Sequence, residues 1–169
     1  YFSRLTNKLF NTFYFTGLGE DPLSEMMIKR FKYENLKIDL IQRIKGKYPG
    51  LYSIQTDEKG NRSFSYWRNE SAAKEMIKNC NLDNLEKFIG NTELFYYTGI
   101  SLGILKPKDQ NKLIELSKKS KLTAFDFNYR NSFHGNKIKS QSLFKKSNFF
   151  SKINFISFDD IIEIFGKSD

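Results

Sequence analysis

Strand-forming runs alternate with helix-forming ones along most of the chain, and this alternation constrains the fold more than any other feature. "LFNTFYF", residues 9–15, reads as a buried strand. In the "TGLGEDPLSEMMIKRF" that follows, Asp21 caps a helix and Pro22 takes its first position, where a missing N–H costs nothing. Met26, Met27 and Phe31 supply that helix's apolar stripe, and Gly17 and Gly19 serve a tight turn rather than a phosphate cradle. Helical sequence resumes from Ser71 to Asn79 and from Leu82 to Ile89, and "ELFYYTGIS" is a strand with its exit loop. Pro107 opens the helix "PKDQNKLIELSKKS", and "LTAFDFNYR" is a strand whose exit carries Asp126, Asn128 and Arg130. "INFISFDDIIEIFG" closes with a strand, a turn and a short helix ended by Gly166. Such alternation argues for a mostly parallel sheet covered by helices on both sides. Ligands of these sheets sit beyond the strands' carboxyl ends. Thr98-Gly99, Asn128-Tyr129-Arg130 and Ser157 to Asp160 occupy those ends, and convergence of the three on one crevice is expected.

Residues 37–69 break the rhythm with short strands and a hairpin, and read as a small sheet inserted into the α/β domain. Asp57-Glu58-Lys59-Gly60 separates two runs rich in strand formers. A three-residue loop with Gly60 in the left-handed seat pairs Thr56 with Arg62, Ile54 with Phe64 and Tyr52 with Tyr66. Side chains alternate faces along a strand, so Tyr52, Tyr66 and Arg68 share one side and Trp67 takes the other. A four-residue loop would slip the register and part the tyrosines. Two phenols and a guanidinium on one face suit a small polyhydroxylated acid, since arginine meets a carboxylate through paired hydrogen bonds and tyrosine bonds hydroxyls while packing on carbon. The plain alternative is a half-buried hairpin with an ordinary aromatic face and a solvated arginine.

A length of 169 residues suits one domain with a real core, and 17 Phe and 9 Tyr at 39% hydrophobic content exclude a disordered chain. No apolar run approaches a membrane span and no signal peptide opens the sequence, so a cytosolic compartment is expected. Cys80 has no second cysteine for a disulfide or thiolate metal site, and His134, the single histidine, reads as a loop residue. The net charge of +9 is spread along the chain without a nucleic-acid motif, so solvated faces are read and no nucleic-acid partner is expected.

"GLYSIQTDEKGNRSFSYWRNESAA", "LFYYTGISLGIL", "AFDFNYR" and "FISFDDIIEIFG", in that order, resemble the 2-keto-3-deoxygluconate kinase branch of the ribokinase-like (PfkB-type) carbohydrate kinases. "GLGEDPLS" is similar to that family's early glycine-rich signature, and the resemblance runs from Tyr1 to Gly166. It implies a ribokinase-like α/β fold with a mostly parallel sheet flanked by helices, and a β lid at residues 37–69 of a partial domain spanning 1–169. It also implies ATP and Mg²⁺, transfer of the γ-phosphate to the sugar acid's 6-hydroxyl, and a homodimer through the lid. Tyr52, Tyr66 and Arg68 match the family's lid contacts to the sugar acid, and Arg130 matches a second substrate arginine. Asn128 falls near the phosphates. Ser157 and Asp160 match a polar-x-x-acid motif linked to metal and phosphates, with Asp where the family usually has Glu. "NSFHGNKIKSQSL" after Arg130 departs from the family's Pro-Arg-Leu-Trp-like continuation.

The family's catalytic base is the Asp of a Gly-Ala-Gly-Asp-like motif, which does not occur in these 169 residues and is expected beyond Asp169. The first residue is Tyr and "YFSRLTNKLFNTFYF" reads as a chain entered midway, incomplete at both ends. The 169 residues alone are therefore expected to be inactive. Alternative readings are a non-catalytic remnant or binding module that keeps the sugar-acid site, and a kinase for a related sugar.

Overall fold

Asp21 starts the first long helix as its place before Pro22 requires. In the computed structural model, which describes residues 2–6, 9–78, 80–130 and 136–166, its carboxylate accepts from the N–H groups of Leu23 (3.0 Å) and Ser24 (3.1 Å) and from the Ser24 hydroxyl (2.6 Å). His134 lies outside the described residues. The chain divides into two compact units, Tyr1–Cys80 and Asn81–Asp169.

The first unit runs α1 (Phe2–Leu5), β1 (Thr12–Phe13), β2 (Thr16–Leu18), α2 (Pro22–Tyr33), β3 (Leu36–Lys37), β4 (Ile41–Arg43), β5 (Leu51–Thr56), β6 (Arg62–Trp67) and a 3-10 turn at Ala72–Glu75. β1 pairs with β3 and β2 with β4, both in parallel, while β5 and β6 are antiparallel. The single buried strand expected over "LFNTFYF" is instead the short β1, with β2 starting just after the run; β2 is fully buried, but Tyr14 between them is exposed. On α2 the inward face is Ser24 and Ile28, with Met27 and Phe31 half-buried. Met26 is 59% exposed, because two residues past Ser24 is about 200° around a helix. Within residues 37–69, Lys37 and β4 pair with β1 and β2, so the antiparallel ribbon is confined to Leu51–Trp67. The glycine pair works by close approach: a Cβ on Gly17 would fall 2.3 Å from the Ala72 carbonyl oxygen, and one on Gly19 1.8 Å from that of Lys47. Cys80 donates its thiol to the Ile77 carbonyl at 3.1 Å, in keeping with a structural cysteine.

The second unit runs α3 (Leu82–Gly90), β7 (Leu94–Thr98), α4 (Gly99–Gly103), α5 (Pro107–Ser117), β8 (Leu122–Asp126), α6 (Lys137–Phe150), β9 (Ile153–Phe155) and α7 (Phe158–Phe165). Its sheet has the order β7-β8-β9, all parallel, with Thr98, Asp126 and Phe155 aligned across it. Phe125, Phe127 and Tyr129 alternate onto one side, and their rings lie 5.6, 5.4 and 5.6 Å from that of Phe144 on α6. All four are buried, each ring contributing about 1.5–3 kcal/mol. The exit expected as a loop after β7 is helix α4. A Cβ on its first residue, Gly99, would sit 2.0 Å from the Phe127 carbonyl oxygen and 2.5 Å from the Phe144 ring.

Candidate active site

The aromatic core of the second unit ends where the polar groups begin. β8 leaves the sheet through Phe127 into Asn128, whose φ of +36° is left-handed. Tyr129 follows with its ring edge-on to Phe144. Its N–H donates to Asp160 Oδ1 at 2.7 Å, and its carbonyl accepts from Arg130 Nη1 at 2.8 Å. β9 exits through Ile156 to Ser157, the N-cap of α7. The Ser157 hydroxyl accepts from the Asp160 N–H (3.1 Å), and Asp160 Oδ2 accepts from the Ser157 hydroxyl (2.7 Å) and N–H (3.3 Å).

These two exits line an open groove of about 730 Å³ with Asp126, Asn128, Arg130, Ser157, Asp159, Asp160 and Glu163 on its walls. The structure thus brings together Asn128, Arg130, Ser157 and Asp160. The exit of β7 does not line the groove, a correction to the expected three-way convergence. Thr98 Oγ1 caps α4 by accepting from Ser101 N (3.2 Å), and Gly99 is pressed against Phe127. Asp160 is no outward-facing acid, since both its oxygens accept from protein donors. Sequence reasoning gave no role to Tyr96, whose phenol donates to Asp126 Oδ2 at 3.0 Å. Partial desolvation of the hydroxyl, on a side chain otherwise half exposed, pushes its pKa up to about 12, helped by the hydrogen bond to Asp126 and its charge. A period-two reading of β7 against β8, with Tyr96 opposite Ala124, would have put the pair on one face. Asp159 and Glu163 were missed too, although a spacing of four on a helix aligns them.

The hairpin, in the first unit, has the register expected of its turn. Tyr52 lies opposite Tyr66, Ile54 opposite Phe64 and Thr56 opposite Arg62. Gly60 has φ +82°, and its N–H donates to the Asp57 carbonyl at 3.0 Å. The Asp57 carboxylate accepts from the N–H groups of Lys59 (2.9 Å) and Asn61 (2.8 Å) and from the Asn61 amide (2.9 Å). These bonds, that of the Asn61 side chain foremost, hold its pKa below the usual carboxylate range. The Tyr52 and Tyr66 rings are 6.2 Å apart, Phe64 stacks on Tyr66 at 6.0 Å, and the Arg68 guanidinium lies 3.8 Å over the Tyr66 ring. A guanidinium stacked by its face still recognises carboxylates along its N–H edge. The strands are exposed on both faces, so the half-burial of the plain alternative is absent; Trp67 shares the other face with Leu51 opposite it.

Parallel strand–helix units with a groove at the strands' carboxyl ends define an α/β protein of the open-sheet class. Residues 2–165 match the pfkB family carbohydrate kinases, and the chain belongs to that family. Over 158 residues it is 34% identical to the 2-dehydro-3-deoxygluconokinase of Escherichia coli K12, an alignment covering 91% of this chain and 51% of that protein. The crystal structure of the 2-dehydro-3-deoxygluconokinase from Thermotoga maritima superimposes with a TM-score of 0.80 at 20% identity, covering 98% of this chain and 51% of the other. An uncharacterized sugar kinase from Pyrococcus horikoshii, solved in complex with ATP, superimposes at 0.76 and 19% identity, covering 96% and 53%. The fold is ribokinase-like, and the chain spans about half the length of the curated relatives it matches. Among the described residues, no helix is long and apolar enough to cross a membrane.

Proposed function

We propose that the protein carrying this chain phosphorylates 2-keto-3-deoxygluconate (2-dehydro-3-deoxygluconate) at its 6-hydroxyl, with ATP as the phosphate donor. The carrying observation is the hairpin face, where two phenols and a stacked guanidinium stand on one side in the combination an acidic polyol requires. The kinase names of the sequence relatives support it. Tyr52 and Tyr66 hold hydroxyls, Arg68 and Arg130 neutralise the carboxylate, and Asn128 and Ser157 face the phosphates. Transfer joins the 6-oxygen to the γ-phosphorus and releases ADP, while the hydroxyl proton passes to the base that the family's pattern puts after Asp169.

No three metal-ligating side chains converge among the described residues. Mg²⁺ that arrives with a nucleotide needs only one or two carboxylates besides phosphate oxygens. Asp159 and Glu163 on the groove wall fit that need, and the ion would offset phosphate charge there. The outer face of the ribbon, with Leu51 52% and Trp67 60% exposed, supports pairing of two copies through the hairpin.

The test compares kcat/KM of the full-length protein for the sugar acid and for neutral fructose. A strong preference for the acid is expected, and Arg68→Ala should reduce it about 10- to 100-fold, mainly through KM, as loss of a charge-assisted contact does. Equal use of the neutral sugar would overturn the reading.

A further inference from the structure

Asp160 serves its own helix with one carboxylate oxygen and reaches 31 residues up the chain with the other. Oδ2 completes the capping box with Ser157, which stabilises the start of α7. Capping needs nothing more, yet Oδ1 accepts the Tyr129 N–H at 2.7 Å in a buried contact. Tyr129 is gripped on its other sides as well. Its ring is packed edge-on to Phe144, and its carbonyl accepts from the guanidinium of Arg130 at 2.8 Å. The residue before it, Asn128, has a positive φ of 36°, a backbone turn that few residues other than glycine, Asn and Asp make, and it sets the direction in which Tyr129 and Arg130 leave the strand. A bond from an ionised carboxylate to a backbone N–H is among the stronger holds available.

We propose that Asp160 is a positioning residue for substrate. By fixing the Tyr129 peptide it aims the Arg130 guanidinium at the carboxylate of the acidic sugar, and so acts through Arg130 rather than by touching phosphate or metal. The inference rests on Arg130 being a substrate arginine, as proposed above. It differs from a metal-linked role in one measurable respect: a positioning residue matters when neither nucleotide nor metal is present.

The experiment is calorimetric titration of the full-length protein with 2-keto-3-deoxygluconate alone, without nucleotide or Mg²⁺. Asp160→Ala and Arg130→Ala should each weaken binding about 10-fold or more, the scale of one charge-assisted hydrogen bond. Asp160→Asn keeps a side-chain oxygen for the Tyr129 N–H and should stay within about threefold of wild type; it also keeps the test open should the alanine variant fail to fold. In the double variant Asp160→Ala should add no further loss to Arg130→Ala, since residues acting as one unit are not additive. Unchanged binding by Asp160→Ala, equal losses for the Asn and Ala variants, or additive losses in the double variant would overturn the positioning role and leave the proposed activity standing. Wild type that fails to bind the acid, or Arg130→Ala that binds it as wild type does, would overturn both.

Discussion

Arg68, half-buried just past the end of β6, lays its guanidinium over the ring of Tyr66 on an exposed ribbon. At such a site the stack is worth about 0.5–1 kcal/mol, enough to bias a guanidinium and too little to immobilise it. Tyr96 is the opposite case, a phenol tied to Asp126. Its pKa of about 12 in the folded chain lies above the ordinary 10.0, so the stability it brings is whole below pH 10 and lost as pH climbs toward 12. Ultraviolet titration should show late phenolate absorbance that shrinks by one tyrosine in Tyr96→Phe; an unchanged alkaline titration in that variant would break the assignment. The common side of Tyr52, Tyr66 and Arg68 was legible because one turn fixes the register and period two does the rest. The Asp160–Tyr129 bond was not, because it depends on β9 lying beside β8 and on no local pattern.

Single glycines decide two of the elements, by different physics. Gly99 has no room for a methyl group, so Gly99→Ala should cost about 1–3 kcal/mol and lower the urea midpoint followed by far-ultraviolet circular dichroism. Gly60 has space around it but a left-handed φ of +82°. Gly60→Ala should therefore cost about 1 kcal/mol inside the hairpin alone, changing Trp67 fluorescence and leaving that midpoint in place. Helix starts at Asp21 and Pro107 were legible from capping chemistry, which is local. The inner face of α2 and the break at Tyr14 were not, because an apolar run does not say which of its members find a partner.

At the scale of the molecule, strand–helix alternation foretold the parallel pairings of both units, while no Pro- or Gly-rich linker marked the division at Cys80. Among the described strands β9 pairs only with β8, and Leu94, Tyr96, Ile153 and Phe155 are exposed on one side of that sheet. A one-sided edge strand beside exposed apolar groups favours association. Sedimentation of the 169-residue chain should show mass rising with concentration, and Phe155→Lys should suppress the rise; a monomer at every concentration would refute it. A last consequence lies in the peptide of Tyr129, which is seated against the first turn of α7 and tethers the guanidinium beside it. If Arg130 holds the substrate as proposed, a ligand that draws its guanidinium forward would pull through one amide on the helix start, a strain gauge read in the backbone.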